Sequence, residues 1–383
     1  MEKRYFPSIG EKISLLGFGL MRLPTVNNAH KDIDYPVAEL MVDKALAGGV
    51  NYFDTAWIYH EGQSEVFAGR ALSRHPRDSY NIATKMPVWL LENLDQAKEI
   101  FAGQLAKLRT DHIDFYLVHN LNAECYRIHE KLGLHDYLRG LRESGAIRRL
   151  GFSMHDSPEH LGLLLERHGW DFAQIQLNYI DWQSLKGGEL YGRLVDKSLP
   201  IVIMEPVRGG ALANLPAKAA QTLKDHDPGA SQASWALRYV ASYPGVMTVL
   251  SGMSLPSQMD DNLATFNDFK PLGQAEIDVL AKAAEGFRLA NPIPCTGCCY
   301  CMDCPSGVNI PLNLAIFNHY SMLLADQPDM AYLIFDNNYR ALRESEKAIN
   351  CVSCEECMTH CPQKIAIPSE LKKLTDMVAG AQG

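Results

Sequence analysis

Nine of the ten cysteines of this 383-residue chain fall in two short windows, at spacings that suit metal ligation. The first window reads Pro294-Cys295-Thr296-Gly297-Cys298-Cys299-Tyr300-Cys301-Met302-Asp303-Cys304-Pro305. The second reads Cys351-Val352-Ser353-Cys354-Glu355-Glu356-Cys357-Met358-Thr359-His360-Cys361-Pro362. Three thiolates at two-residue spacing can wrap one corner of a cubane, and a fourth cysteine before proline completes the set. The second window follows the pattern C-x2-C-x2-C-x3-C-P residue for residue. The first has only two residues before its last cysteine and carries an extra thiol, so either Cys298 or Cys299 could serve. Zinc sites usually come as separated C-x2-C pairs, and disulfides need an oxidising compartment that nothing here suggests. The spacing therefore predicts two [4Fe–4S] clusters, with Cys295, Cys298, Cys301, Cys304, Cys351, Cys354, Cys357 and Cys361 as ligands.

A second set of chemically capable residues lies far upstream: Asp54, Tyr59, Lys85 and His119. A phenol titrates near pH 10 and is a poor acid at neutral pH, but an ammonium beside it favours the phenolate. A carboxylate keeps a buried lysine charged and fixed, and a histidine can orient a substrate oxygen. Together they could deliver a proton to a carbonyl oxygen as a hydride reaches its carbon. Taken singly, each has a plainer role: Asp54 as a helix cap, Lys85 as a solvated loop charge, His119 as a satisfied half-buried histidine.

The elements that must hold these residues follow from hydrophobic periodicity. Apolar runs at Leu15–Leu20, Val50–Asp54, Tyr80–Thr84, Ile113–Val118, Ile147–Phe152, Phe172–Leu177, Pro200–Met204 and Val246–Leu250 read as strands. Amphipathic stretches such as Glu92–Leu108 and Gly229–Ser242 separate them. Eight such units in about 250 residues predict a closed (β/α)8 barrel, with a doubly wound open sheet as the alternative. No G-x-G-x-x-G follows the first strand, which disfavours the open sheet. The four residues then fall at consecutive strand ends, where a barrel places its active site. Later strand ends supply Ser153 and His155, Gln176 and Asn178, Glu205 and Arg208, and Ser251 and Gly252. Residues 286–294 read as a linker. The domain expectation is a barrel over 1–288 and a small helical domain over 289–383, with helices around Leu312–Leu324, Met330–Leu342 and Leu371–Val378.

The net charge is −9, with six Lys+Arg against ten Asp+Glu from residue 291 onward. No basic patch appears, which argues against nucleic-acid binding. No apolar window is long enough to span a bilayer, and no apolar stretch follows the basic residues of the N-terminus. The expected location is the cytoplasm, where thiolates stay available for metal.

Several stretches together resemble the aldo-keto reductase family. They are Gly49-Val50-Asn51-Tyr52-Phe53-Asp54-Thr55-Ala56-Trp57-Ile58-Tyr59, Ile82-Ala83-Thr84-Lys85 and Asp114-Phe115-Tyr116-Leu117-Val118-His119. Gly17-Phe18-Gly19-Leu20-Met21, Gly151-Phe152-Ser153, Gln176-Leu177-Asn178-Tyr179 and Met204-Glu205-Pro206 fall in the family's order, so the resemblance covers roughly residues 10–270. With its cysteine tail the chain is similar to the branch that carries a C-terminal ferredoxin-like domain, here of the helical type. The resemblance implies an oxidoreductase that moves a hydride between NADPH or NADH and a carbonyl or alcohol substrate. It implies Tyr59 as proton donor, Lys85 and Asp54 as its tuning pair, and His119 as the orienting residue. It implies a nicotinamide near Tyr179, with Ser153, Gln176 and Asn178 at the carboxamide. Gly19, Met21, Glu205, Pro206, Arg208, Ser251, Gly252, Gln258, Asp261 and Asn262 complete the implied cofactor contacts. Members that prefer NADPH place a lysine after the last strand and an arginine ahead of the Glu-Asn pair. Here Ser251-Gly252-Met253-Ser254 and Gln258 stand there, so the basic clamp is missing and NADH becomes plausible. Two other functions stay open: an electron-transfer enzyme and a redox-sensing subunit, either passing electrons to a redox protein partner. In two-cluster ferredoxins the cysteine before proline serves the other cluster, which would join Cys304 to the second triplet and Cys361 to the first.

Overall fold

The structure, a computed structural model, describes residues 1–26, 30–302 and 304–380. Two compact units emerge: residues 1–206 with 234–272, and residues 207–233 with 273–383.

The first unit is the expected barrel. Its strands are β1 (Leu16–Gly19), β2 (Tyr52–Asp54), β3 (Asn81–Met86), β4 (Ile113–Val118), β5 (Ile147–Met154), β6 (Phe172–Gln176), β7 (Ile201–Met204) and β8 (Val246–Ser251). All neighbours pair in parallel, and β8 closes on β1 through Val249↔Leu16, Leu250↔Gly17 and Ser251↔Phe18. Every residue of β2, β3, β4, β6 and β8 is buried, because the strands are covered on both faces. That double burial is why they read as continuous apolar runs. The helix expected over Glu92–Leu108 runs Leu94–Leu108: the Asn93 side chain accepts from the Gln96 amide at its start, and Arg109 ends it with φ +55°.

A short antiparallel hairpin, Lys3–Tyr5 with Lys12–Ser14, precedes β1 and has no counterpart among the sequence expectations. Ile9 and Ile13 on it join Tyr52, Phe115, Phe172, Val202 and Met247 in one apolar cluster. The hairpin thus plugs the end at which the strands begin, and Arg149 Nε ties it down by donating to the Ile9 carbonyl at 3.0 Å. Chemistry is left to the opposite end.

The second unit is helical. Helix Gln274–Ala290 packs on helix Ala217–His226. The stretch read as a linker is therefore helical as far as Ala290, because Phe287 and Ala290 are buried. Helices Ile310–Asp326 and Pro328–Arg340 form an antiparallel pair broken at Gln327-Pro328, and Ile367–Gly380 packs on the first of them. The small core gathers Ile293, Val308, Ile310, Leu314, Phe335, Ile367, Leu371 and Leu374, with six cysteines packed against it. No helix among the described residues is long and apolar enough to cross a membrane.

Candidate functional site

The barrel site is built around Lys85, whose side chain is fully buried near the end of β3. Its Nζ donates to Asp54 Oδ1 at 2.6 Å, to the Thr55 carbonyl at 2.7 Å and to Tyr59 Oη at 3.4 Å. Asp54 is the last residue of β2, and Tyr59 opens the short turn beyond it. Burial presses on both charges, lowering the Lys85 pKa and raising that of Asp54, while each opposes this in the other. Three acceptors around one nitrogen match the three protons of an ammonium, so the geometry fits the charged pair.

A polar shell that sequence reasoning missed fixes the backbone of β3. The buried Glu65 carboxylate, on helix Gln63–Leu72, accepts from Thr84 Oγ1 at 2.6 Å and Gln104 Nε2 at 2.8 Å. Gln104 Nε2 also reaches the Lys85 carbonyl at 3.0 Å, and Tyr116 Oη donates to Gln104 Oε1 at 2.6 Å. The available signal was a glutamate on an otherwise apolar helix face. Tyr59 itself is presented by a strained turn, since His60, Glu61 and Gly62 all have positive φ (+51°, +52° and +86°).

His119 follows β4 and is buried. Burial, then the Lys85 ammonium and His155, hold it well below the ordinary histidine range, so it is a neutral imidazole at pH 7. Its ring lies 6.2 Å from that of Tyr59, edge to face, and 5.0 Å from that of Trp89. Asp54, Tyr59, Lys85 and His119 are therefore brought together as expected, with Trp89 as an aromatic neighbour.

The other strand-end residues fare differently. Ser153 Oγ accepts from the Asn120 amide at 3.0 Å, which leaves its hydroxyl proton to donate. Gln176 Nε2 donates to Asp181 Oδ2 at 2.7 Å. Asn178 spends its whole capacity inside the protein: its amide donates to Asp181 Oδ2 (2.6 Å) and the Glu205 carbonyl (3.0 Å), while Oδ1 accepts from Ile180 and Asp181 amides. Asp181, not singled out in the sequence, is the hub of that corner. Tyr179 packs edge to face on Tyr239 at 6.1 Å.

Gly19 pairs with Asp54 in the β1–β2 register, and Met21 lies in the following turn. Ser251 Oγ accepts from Asn262 Nδ2 at 2.8 Å. A Cβ on Gly252 would come within 3.3 Å of the Arg22 side chain, whose guanidinium lies 3.7 Å from Glu205 Oε1. Arg22, one residue beyond Met21, is the cation that sequence reasoning overlooked here. Gln258 is used as a cap: its Oε1 accepts from the Ser254 and Leu255 amides at 2.8 and 3.2 Å. Asp261 lies on the same helix, Pro256–Asn267, and its carbonyl accepts from Thr265. Pro206 ends the first unit's segment, whereas Arg208 belongs to the second, with its guanidinium 5.8 Å from the Phe287 ring. Beside it, Gly209 (φ +65°) packs so tightly that an added Cβ would collide with the Thr296 carbonyl.

In the second unit the cysteines gather in two hollows. One is lined by Cys295, Cys298, Cys299, Cys301 and Cys361; the other by Cys301, Cys304, Cys351, Cys354 and Cys357. Cys361 thus joins the first triplet and Cys304 the second, the crossing expected from the motif. All ten cysteines are free thiols. Burial pushes Cys295 and Cys301 up, and Cys357 up to about 11, so a cation is needed to hold them as thiolates. Two sets of converging sulfurs, each rimmed by apolar residues, fit cubane clusters.

Comparison with known proteins agrees with both halves. The model of the "Aldo/keto reductase family" matches residues 15–285, and that of a "4Fe-4S dicluster domain" matches 294–366. Among curated relatives, the uncharacterized oxidoreductase YqkF of Bacillus subtilis is 25% identical, covering 73% of this chain and 95% of its own. The NADH-specific methylglyoxal reductase of Escherichia coli is 24% identical, covering 72% and 96%. Among solved structures, the holo form of aldo-keto reductase AKR11C1 from Bacillus halodurans superposes with a TM-score of 0.62 at 26% identity, covering 74% and 96%.

Proposed function

We propose, from the premise that this chain belongs to the aldo/keto reductase family and is an NAD(P)H-dependent oxidoreductase, that Tyr59 is the proton donor in reduction of a small carbonyl. The observation that carries this reading is the Lys85 ammonium held between Asp54 and Tyr59 Oη in a fully buried position. A bound nicotinamide would supply the hydride. Neutral His119 donates an N–H to the carbonyl oxygen and fixes its direction. As negative charge grows on that oxygen, Tyr59 passes it the phenolic proton. Lys85 stabilises the phenolate left behind, and Asp54 keeps Lys85 charged. Trp89, against His119, supplies an apolar wall that excludes water.

Ser153 and Gln176 are the amide-reading residues, with Asn178 and Asp181 positioning Gln176. Gly19, Met21, Glu205, Pro206, Ser251, Gly252, Asp261 and Asn262 would line the rest of the cofactor site. Gln258 acts there through its cap. The absence of a second basic residue beside Ser251 and the NADH-specific relative both support NADH.

The two sets of thiols support two [4Fe–4S] clusters, which supply one-electron chemistry when bound. Cys298 is the better fourth ligand of the first set. Cys299 is exposed, and its thiol donates to the Gly297 carbonyl at 3.5 Å. The working division is a reductase module over 1–288 and a cluster module over 289–383, acting in the cytoplasm. A redox-protein partner belongs to this reading only if the clusters exchange electrons with the nicotinamide.

Anaerobic rapid mixing with NADH, with and without methylglyoxal as probe, tests both parts. Oxidation of NADH only with carbonyl present, with the visible cluster band unchanged, is the expected result. Bleaching of that band without carbonyl would replace the reductase reading by electron transfer.

A further inference from the structure

We propose that His129, Glu130 and His168 bind one divalent transition-metal ion of the zinc class, on the outer layer of the first unit. None of the three belongs to the barrel mouth or to the cysteine motifs. His129 and Glu130 end the helix Ala123–Lys131, and His168 is the C-cap residue of the helix Pro158–Arg167. Residues from two separate helices thus bring one ligand atom each to within 4.8 Å of one another.

The spacing suits an ion. Glu130 Oε1 lies 3.2 Å from His129 Nδ1 and 2.9 Å from His168 Nε2. A tetrahedral ion with bonds of about 2.0–2.1 Å to nitrogen and oxygen sets its ligands about 3.3 Å apart, so small side-chain shifts suffice. Two imidazoles and one carboxylate form a borderline donor set, which favours zinc over magnesium or calcium, which want oxygen, and over cuprous ion, which wants sulfur. Three protein ligands leave the fourth position to water, on the side where the Glu130 side chain is 45% exposed.

A plain hydrogen-bonded network explains the cluster less well. A single carboxylate oxygen serves both imidazoles. His129 is fully buried, yet its Nε2 has no hydrogen-bond partner among the described residues. His135 adds a third imidazole, stacked 4.2 Å from His168 and 5.7 Å from His129, and its buried Nδ1 is also without a partner. One carboxylate oxygen is thus the acceptor for imidazoles crowded three together, and Trp170, 4.9 Å from His135, closes the inner side of the corner.

The ion would staple the end of one helix to the end of the other. The first of these helices begins at Ala123, directly after the His119–Asn122 segment, so binding should stiffen the approach to the barrel mouth without touching it.

The test uses full-length, iron-loaded protein dialysed anaerobically against micromolar free Zn²⁺. Zinc per chain is counted, and its X-ray absorption fine structure is recorded. The expected result is one zinc per chain with a nitrogen/oxygen shell at about 2.0–2.1 Å, no sulfur shell at about 2.3 Å, and unchanged iron. His168→Ala and Glu130→Gln, at partly exposed positions, should each weaken zinc binding by roughly tenfold or more. They should also remove any zinc-induced rise in melting temperature while leaving the circular dichroism spectrum intact. No retained zinc, a sulfur shell, or wild-type affinity in both variants would overturn the assignment.

Discussion

The barrel mouth and the cysteine region solve the same problem, holding reactive side chains in place, in opposite ways. At the mouth the scaffold does the holding. Lys85 has three acceptors, the Glu65–Thr84–Gln104–Tyr116 chain fixes β3 behind it, and a closed ring of eight strands supports both. In the second unit a modest apolar core carries the cysteines, and burial favours their neutral thiols. There metal ligation would add folding free energy, whereas the barrel holds its residues without it. The contrast teaches that one chain can place side chains held by its scaffold beside thiols that metal ligation would hold.

The contrast can be broken at either end. The largest effect is expected from Tyr59→Phe, which should lower kcat/KM for carbonyl reduction by about 10²–10⁴-fold while NADH binding, read by fluorescence titration, stays nearly unchanged. Surviving turnover would remove Tyr59 from the acid role. Next, Cys351→Ser with Cys354→Ser should cut iron content by about half and loosen the C-terminal helices to protease, because the metal contributes folding free energy. Carbonyl reduction should stay within roughly threefold of wild type, since the barrel residues do not depend on iron. A parallel loss of activity would erase the distinction between the two regions.

Glu65→Gln probes the scaffold itself. It turns an acceptor shared by Thr84, Gln104 and Lys107 into a group with its own N–H donors, at a cost of about 1–3 kcal/mol. A lower melting temperature with a fall in kcat rather than a rise in KM is expected; an unchanged kcat would reduce Glu65 to a packing residue.

The last effect concerns pH and leaves activity at neutral pH untouched. Burial holds His60 down to about 4, against 6.5 in the unfolded chain. In that window the unfolded state binds the extra proton, so barrel stability is complete above pH 6.5 and falls as pH drops toward 4. His60→Gln should flatten this part of the thermal-melting profile by roughly 3 kcal/mol at most, and an unaltered profile would exclude His60 as its source.

How much of this was legible depended on what each residue's neighbours are. The eight strands could be read because burial on both faces leaves no alternation to confuse with a helix. The Lys3–Tyr5 hairpin could not, because three-residue charged strands carry no period. Asp54, Tyr59, Lys85 and His119 stood out as polar groups closing apolar runs. Glu65 and Gln104, interior to helices, looked like ordinary helix polar residues. Asn178 illustrates a subtler limit: its type suggests a free amide, and only the structure shows every one of its hydrogen-bonding positions taken by Asp181, Glu205 and Ile180. Arg208 reads as a strand-end residue, although long-range packing gives its loop to the other unit. The cysteine crossing was expected from the way two-cluster ferredoxins use the cysteine before proline, and the two hollows group Cys361 with the first triplet and Cys304 with the second.

The packing of Gly209 against Thr296 has a consequence for biosynthesis. The two residues are 87 positions apart, so at translation rates of about 5–20 residues per second the loop waits roughly 4–17 s for its partner to leave the ribosome. In that interval β8 has already emerged and the barrel can close. The discontinuous unit, 207–233 with 273–383, must assemble last, when the nascent chain is nearly finished.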